Sequence, residues 1–435
     1  MRKMKPSGVE WIGDIPQEWD IYKLKYLVTY NDEVLDEKTD SDFEFDYIDI
    51  SSVEYQKGIV SLQRMRFSDA PSRARRIVRE KDIIISTVRT YLKAVASIGF
   101  LTFPQIASTG FIVLRARNNK ALSKFLHYAV LANSFISMVE AHSVGVSYPA
   151  INASDVVKIP ISIPTLYEQK VIAEFLDRKC AEIDSVISKT KATIEQYKAL
   201  KQSVITQAVT KGIRPDRPMK DSGIEWIGEI PQEWKLGKIK YGVTKVGSGK
   251  TPSGGAESYA TEGILFLRSQ NVYDTGIVLD SPTYITPEID EEMKNTRVQP
   301  NDVLLNITGG SIGRCCIFPE CLVRANVNQH VSIIRVIASV FLPEFIHYYW
   351  LSYLGKMSIT LLQTGGNREG MSADAIKNSL IPMIPIDEQA KIISYLDRKC
   401  AEIDRLIAAK EQLLTELESY KKSVIYEYVT GKKEV

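Results

Sequence analysis

The sequence predicts an α+β protein. Two globular domains of mixed α/β character are separated by two long helices, paired as an antiparallel coiled coil, and a pseudo-twofold internal repeat relates the halves. Two doubled blocks and two long helical stretches carry that prediction. Ser7–Trp19 reads SGVEWIGDIPQEW and Ser222–Trp234 reads SGIEWIGEIPQEW, with eleven of thirteen positions shared. Leu176–Asp184 and Leu396–Asp404 both read LDRKCAEID, so the blocks recur at offsets of 215 and 220 residues. A period of half the chain is too long for a solenoid and marks a duplicated domain instead. The sequence between the blocks has diverged, so a common frame carries two different inserts.

Residues 1–165 form the first domain. Short apolar runs such as Asp82–Ser86 (DIIIS) and Phe111–Arg115 (FIVLR), separated by turn residues, read as strands. Residues 166–213 change character: they contain no proline and no glycine before Gly212. Apolar or small residues recur three and four apart at Ile183, Val186, Thr190, Thr193, Tyr197, Leu200 and Val204, which is heptad spacing. Gly212 and Pro215 stop that helix. Residues 214–385 repeat the mixed pattern. Residues 386–435 repeat the helix, with a seam at Ile403, Leu406, Lys410, Leu413, Leu417, Tyr420 and Val424. At ~1.5 Å per residue, about 42 residues reach ~63 Å. Such a helix is longer than one domain covers, so the two helices are expected to pair as a rigid spacer.

With 435 residues, 44% hydrophobic and 25% charged, the chain is long enough for two or three ordinary globular cores. No apolar run reaches membrane-spanning length, and the first residues lack the apolar segment of a secretory leader. Of the five cysteines, Cys180 and Cys400 occupy the same place in the repeat. An odd, sparse set points to reduced thiols and a cytoplasmic protein. The net charge of +2 does not itself argue for nucleic acid. Locally, Asn31–Asp49 is acidic and Arg64–Lys81 is basic. The two stretches either give the domain a field able to orient a polyanion or neutralise each other.

Familiar catalytic patterns are missing. Gly247–Thr251 reads GSGKT, but the glycine that a phosphate loop needs earlier is Thr244, and Pro252 and Gly254–Gly255 break the helix that should follow. Cys315, Cys316 and Cys321 lack the spacing of a tetrahedral metal site. The four histidines are scattered, and the motif of amino-methyltransferases is absent. The chain reads as a binder with no catalytic residues, no metal and no cofactor of its own. The doubled tryptophan motif reads as structural: a segment docking against a helix end.

Polar clusters with donors and acceptors suited to base edges do occur. Arg268, Gln270 and Asn271 form one, Asn306 and Thr308 a second, Asn328 and Gln329 a third, and Asn367 and Arg368 lie in a glycine-rich loop. In the first half, Arg73, Arg75 and Arg76 lie in the basic stretch, and Arg89 and Tyr91 occupy the matching position. Each cluster alone reads more readily as an ordinary turn; their pairing across the repeat, with different side chains, strengthens the reading as sequence readout.

At this point the chain resembles the specificity subunits of type I restriction–modification systems over nearly its whole length. The doubled SGxEWIGxIPxEW blocks, the segments starting at Glu168-Gln169 and Glu388-Gln389, and both LDRKCAEID stretches carry the resemblance. KTPSGG from Lys250, GILFLRSQNV from Gly263 and NITGGSIGR ending at Arg314 fit the family's recognition pattern. The first half departs from it, with Thr87–Lys93 where the glycine-rich stretch would fall, which adds Lys93 as a candidate. The resemblance implies two target recognition domains, each reading half of a gapped double-stranded DNA site. It implies helices that set the gap and dock two methylation subunits, and recruitment of restriction subunits. S-adenosylmethionine, ATP and Mg are expected on those partners. The competing readings are a stand-alone nucleic-acid enzyme and a coiled-coil scaffold joining two protein-binding domains.

Overall fold

The structure is a computed structural model and describes residues 2–117, 119–322, 324–363 and 370–435. The chain forms two units. The first joins Met1–Lys191 to Gln412–Val435, and the second is Ala192–Glu411. The division therefore falls inside both long helices, Leu166–Lys211 and Ile386–Val429.

In the first unit one antiparallel sheet has the order Val95–Ser97, Ile83–Ser86, Phe111–Ala116, Val28–Tyr30. A second sheet has the order Gln63–Arg66, Glu44–Ile48, Gln105–Ser108, Ala74–Ile77, and its central pair is parallel. The DIIIS and FIVLR runs lie side by side, with Ile84 opposite Val113. Side chains alternate between faces along a strand. Ile83, Ile85, Ile112 and Leu114 therefore enter a core with the helices Ser123–Leu131 and Asn133–Ala141. Ile84, Phe111 and Val113 enter another core with Ile48 and Ala107 of the second sheet. A strand buried on both faces needs an unbroken apolar run rather than alternation.

The second unit repeats this arrangement strand for strand. One sheet runs Val243–Ser248, Val331–Val336, Val303–Asn306, Cys315–Ile317. The other runs Tyr284–Ile285, Ile264–Leu267, Ala325–Val327, Arg297–Val298, again with a parallel centre. Buried ion pairs repeat too. Arg115 donates to both oxygens of Asp82 at 2.9 and 2.8 Å, and Arg335 to both oxygens of Asp302 at 2.7 Å. The duplication visible in two short blocks thus extends through the diverged inserts.

The doubled motif docks as expected. The Trp19 indole donates to Glu168 at 3.1 Å at the start of the first long helix, and Arg2 pairs with the same carboxylate. Trp234 donates to Glu388 at 3.0 Å at the start of the second, joined by Arg217 at 2.6 Å. One turn into each helix lies a fully buried glutamine. Gln169 accepts from the Leu122 amide at 2.8 Å and donates to the Pro164 carbonyl at 2.9 Å; Gln389 does the same with Leu342 and Ile384. These amides satisfy backbone groups that burial would otherwise leave unpaired.

Within the first unit the head of one long helix packs antiparallel to the tail of the other. Phe175 meets Tyr428 at 4.4 Å between ring centroids, and Asp184 meets Lys421 at 2.7 Å. In the second unit Lys201 meets Asp404 at 2.7 Å. The seam differs from the sequence expectation. Thr190 is buried as expected, but Val186, Leu200, Leu406 and Tyr420 are 43–48% exposed, whereas Ile194 and Lys421, outside the expected seam, are buried. A straight helix drifts against a strict seven-residue repeat, and the globular cores claim residues from both helix ends. No helix among the described residues is long and apolar enough to cross a membrane.

Candidate nucleic-acid interface

In the second unit, loops that leave adjacent strands are knotted together by polar side chains. Behind strand Val243–Ser248, Gly249 donates to the Val331 carbonyl at 3.1 Å and Lys250 to that of Val327 at 3.2 Å. A Cβ at Gly249 would run into the Val327 carbonyl, so the GSGKT glycine serves close backbone approach. Thr251 bonds to Gln329 Oε1. Gln329 Nε2 donates to His330 Nε2 at 3.1 Å, and His330 Nδ1–H donates to Thr308 Oγ1 at 2.6 Å. This tautomer satisfies the whole chain.

Three candidate amides turn inward. Asn271 is buried, accepts from the Arg268 amide at 3.0 Å and donates to the Val278 carbonyl at 2.9 Å. Asn306 is fully buried and donates to the Ser269 carbonyl at 2.8 Å. Asn328 accepts from the His330 amide at 3.1 Å. These side chains shape the loops, which corrects the expectation that they face a base. Lys250, Gln270 and Gln329 remain exposed. The half-buried Arg268 and Arg314 guanidinium groups lie over the Tyr259 and Tyr273 rings, at 5.9 and 4.6 Å. Asn367 and Arg368 lie outside the described residues.

In the first unit, Arg73 and Arg89 line one cleft of about 570 Å³ together with Tyr47, Asp49, Ser51 and Gln63. The Thr109 amide donates to the Arg73 carbonyl at 2.7 Å, and the Thr87 amide to that of Gly110 at 2.8 Å, so the loops are cross-linked here as well. Tyr91 is half exposed. Lys93 pairs with Glu140 at 3.0 Å. Arg75 and Arg76 do not line this cleft, and Arg75 covers the Phe67 ring at 4.8 Å. Arg76 is half-buried in its strand with Nε unpartnered, and burial pushes its guanidinium pKa down.

Much of the basic stretch is neutralised by the acidic one. Arg64 pairs with Asp46 at 3.0 Å, Arg66 with Glu44 at 3.3 Å, and Arg79 with Glu33 at 2.6 Å. Among the described residues Arg73, Arg75, Arg76 and Lys81 of this stretch form no ion pair, and of these Arg73 lines the cleft, as does Arg89.

Backbone geometry supplies the signal the side-chain pattern hid. Gly309 and Gly313 adopt φ of 69° and 87°. At the equivalent positions Arg89 and Lys93 adopt φ of 51° and 53°. The first unit keeps the same turn without glycine, at a cost of ~1 kcal/mol per residue. The hairpin of residues 143–151, which the sequence reading passed over, fastens to this turn: the Ile151 amide donates to the Thr87 carbonyl at 2.9 Å. The 220-residue offset maps it onto residues 363–371, of which 364–369 lie outside the described residues.

Among the described residues there is no group of His, Cys, Asp and Glu suited to a metal, and all five cysteines are free thiols. The interface is therefore two sets of cross-linked polar loops on one repeated scaffold, the architecture of a DNA specificity protein. The family model for the type I restriction modification DNA specificity domain matches residues 16–196 and 231–419, and the chain belongs to that family. It is a DNA specificity subunit of a type I restriction–modification system, non-catalytic, with two target recognition domains.

Relatives span most of the chain. The EcoBI specificity subunit of Escherichia coli is 24% identical over 395 residues, covering 82% of this chain and 79% of its own length. The MjaVIII specificity subunit of Methanocaldococcus jannaschii is 24% identical over 428 residues, covering 96% and 93%. Among solved structures, a chain from a study of type I system assembly and conformational transition superposes with a TM-score of 0.77 at 22% identity, covering 96% of this chain and 99% of that one. The HsdS subunit from Thermoanaerobacter tengcongensis gives 0.53 at 23% identity, covering 96% and 98%. The expected fold class holds, and the stand-alone enzyme and scaffold readings give way.

Proposed function

We propose that residues 1–165 and 214–385 each read one half of a bipartite, gapped double-stranded DNA site. The long helices of residues 166–213 and 386–435 set the gap and dock two methylation subunits. Those subunits bring S-adenosylmethionine, and restriction subunits complete the complex with ATP and Mg. One observation supports this most strongly: equivalent strands carry loops of different chemistry at equivalent places. A shared scaffold suits two copies of one partner, while two different loop sets suit two different half-sites. Arg73, Arg89, Lys250, Gln270, Arg314 and Gln329 are the side chains we assign to DNA, with Asn271, Asn306 and Asn328 holding their loops. Phosphate contacts position such a protein, and base-edge contacts specify its site.

The test uses the unit division. Four residues inserted after Lys191 and four after Glu411 leave the Asp184–Lys421 and Lys201–Asp404 contacts inside their own units. Each helix lengthens by ~6 Å. Methylation mapping in a host carrying the whole system is expected to show a gap wider by about two base pairs, at ~3.4 Å each, with both half-sites unchanged. Altered half-sites with an unchanged gap overturn the assignment.

A further inference from the structure

We infer that the hairpin of residues 143–151 enters the major groove of the half-site read by the first unit, where Val146 packs against the 5-methyl group of a thymine. This rests on the reading above that the first unit binds duplex DNA.

The tip of the hairpin is apolar and bare. Val144 is 81% exposed, Val146 102% and Tyr148 67%. The ribbon is nevertheless ordered by its own bonds: Val144 and Ala150 exchange amide–carbonyl bonds at 2.8 and 3.0 Å. It is fastened to the turn that carries Arg89 and Lys93. Thr90 Oγ1 donates to Ser143 Oγ at 2.8 Å, and Val88 bridges Ala150. The Arg89 guanidinium lies 5.3 Å from the Tyr148 ring centroid.

Charge selects the occupant. Residues 141–154 contain no carboxylate, and Glu140 is neutralised by Lys93. An apolar tip flanked by a free arginine suits a polyanion that also offers an apolar contact. A major groove about 12 Å wide admits a two-stranded ribbon, and thymine's methyl is the apolar group on its base edges; the minor groove offers none. The second unit places a segment at the same point. Its Met371 amide donates to the Ile307 carbonyl at 2.9 Å, and Thr308 bridges Gly370, as Ile151 and Val88 do with their partners. The two segments differ in sequence, as elements that read different half-sites would.

The experiment uses the complex with its methylation subunits and the site mapped by methylation sequencing. Each thymine of the site is replaced in turn by deoxyuridine, which removes only the methyl group. At one thymine the wild-type complex is expected to bind roughly fourfold more weakly, the value of one buried methyl. Val146→Ala is expected to bind the parent duplex more weakly and to lose the response to deoxyuridine. Val146 is fully exposed, so the variant keeps the fold, checked by an unchanged unfolding midpoint. Equal binding of all deoxyuridine duplexes by the wild type, or a methyl response that survives in Val146→Ala, overturns the inference while leaving the unit a DNA reader. A wild-type complex that binds no sequence preferentially overturns both readings.

Discussion

Lys421 is buried in the first unit, and its ammonium donates to both carboxylate oxygens of Asp184, at 2.7 and 2.8 Å. Asp184 closes the first LDRKCAEID block, and its side chain is 53% exposed. The repeat exchanges the roles: in the second unit Lys201 donates to Asp404, which closes the second block. The final aspartate is thus kept because each copy receives a lysine from the other long helix.

The pair predicts an asymmetry. Asp184→Ala strands a buried ammonium, whereas Lys421→Ala leaves a carboxylate that water can reach. We expect Asp184→Ala to cost about 3 kcal/mol and Lys421→Ala about 1 kcal/mol, measured by urea unfolding. A larger loss for the lysine variant contradicts this account.

Two buried histidines predict an acid limb. Burial pushes His127 and His347 from 6.5 down to about 4. Their folded values lie below the unfolded one, so the unfolded chain binds more protons between pH 6.5 and 4. Stability is full above pH 6.5 and falls as the pH drops through that window, by about 3 kcal/mol for each histidine. The double variant His127→Leu/His347→Leu is expected to flatten the fall. Unfolding midpoints compared at pH 7 and pH 5 decide it.

Arg89 predicts a separation of stability from recognition. In ordinary backbone, Arg→Gly costs about 1 kcal/mol. At φ of 51° the relieved strain offsets that loss, so Arg89→Gly is expected to stay within about 0.5 kcal/mol of the parent in thermal unfolding. Methylation mapping should show one half-site relaxed and the other intact. A large destabilisation would mean that the guanidinium supports the fold.

The frame was legible because it was written twice. The doubled blocks located both long helices, and the DIIIS and FIVLR runs located the central strands. The helix seam differs because Lys421 is buried while Val186, Leu200, Leu406 and Tyr420 are exposed, which hydrophobic periodicity does not predict. Asn271, Asn306 and Asn328 look like base readers in sequence. Only their hydrogen bonds reveal that they hold loops. Arg89 and Lys93 pose the opposite problem: no residue preference announces a left-handed arginine, and only its glycine counterparts in the other half disclose it.

The first unit is discontinuous, and that sets an order of events during synthesis. Residues 192–411 can complete a core as soon as they leave the ribosome. The earlier-made Met1–Lys191 must wait for Gln412–Val435, which supplies Lys421, Val424, Ile425 and Val429 to its core and helix seam. The half made first is finished last, and a chain cut short near residue 411 loses the recognition unit farthest from the cut.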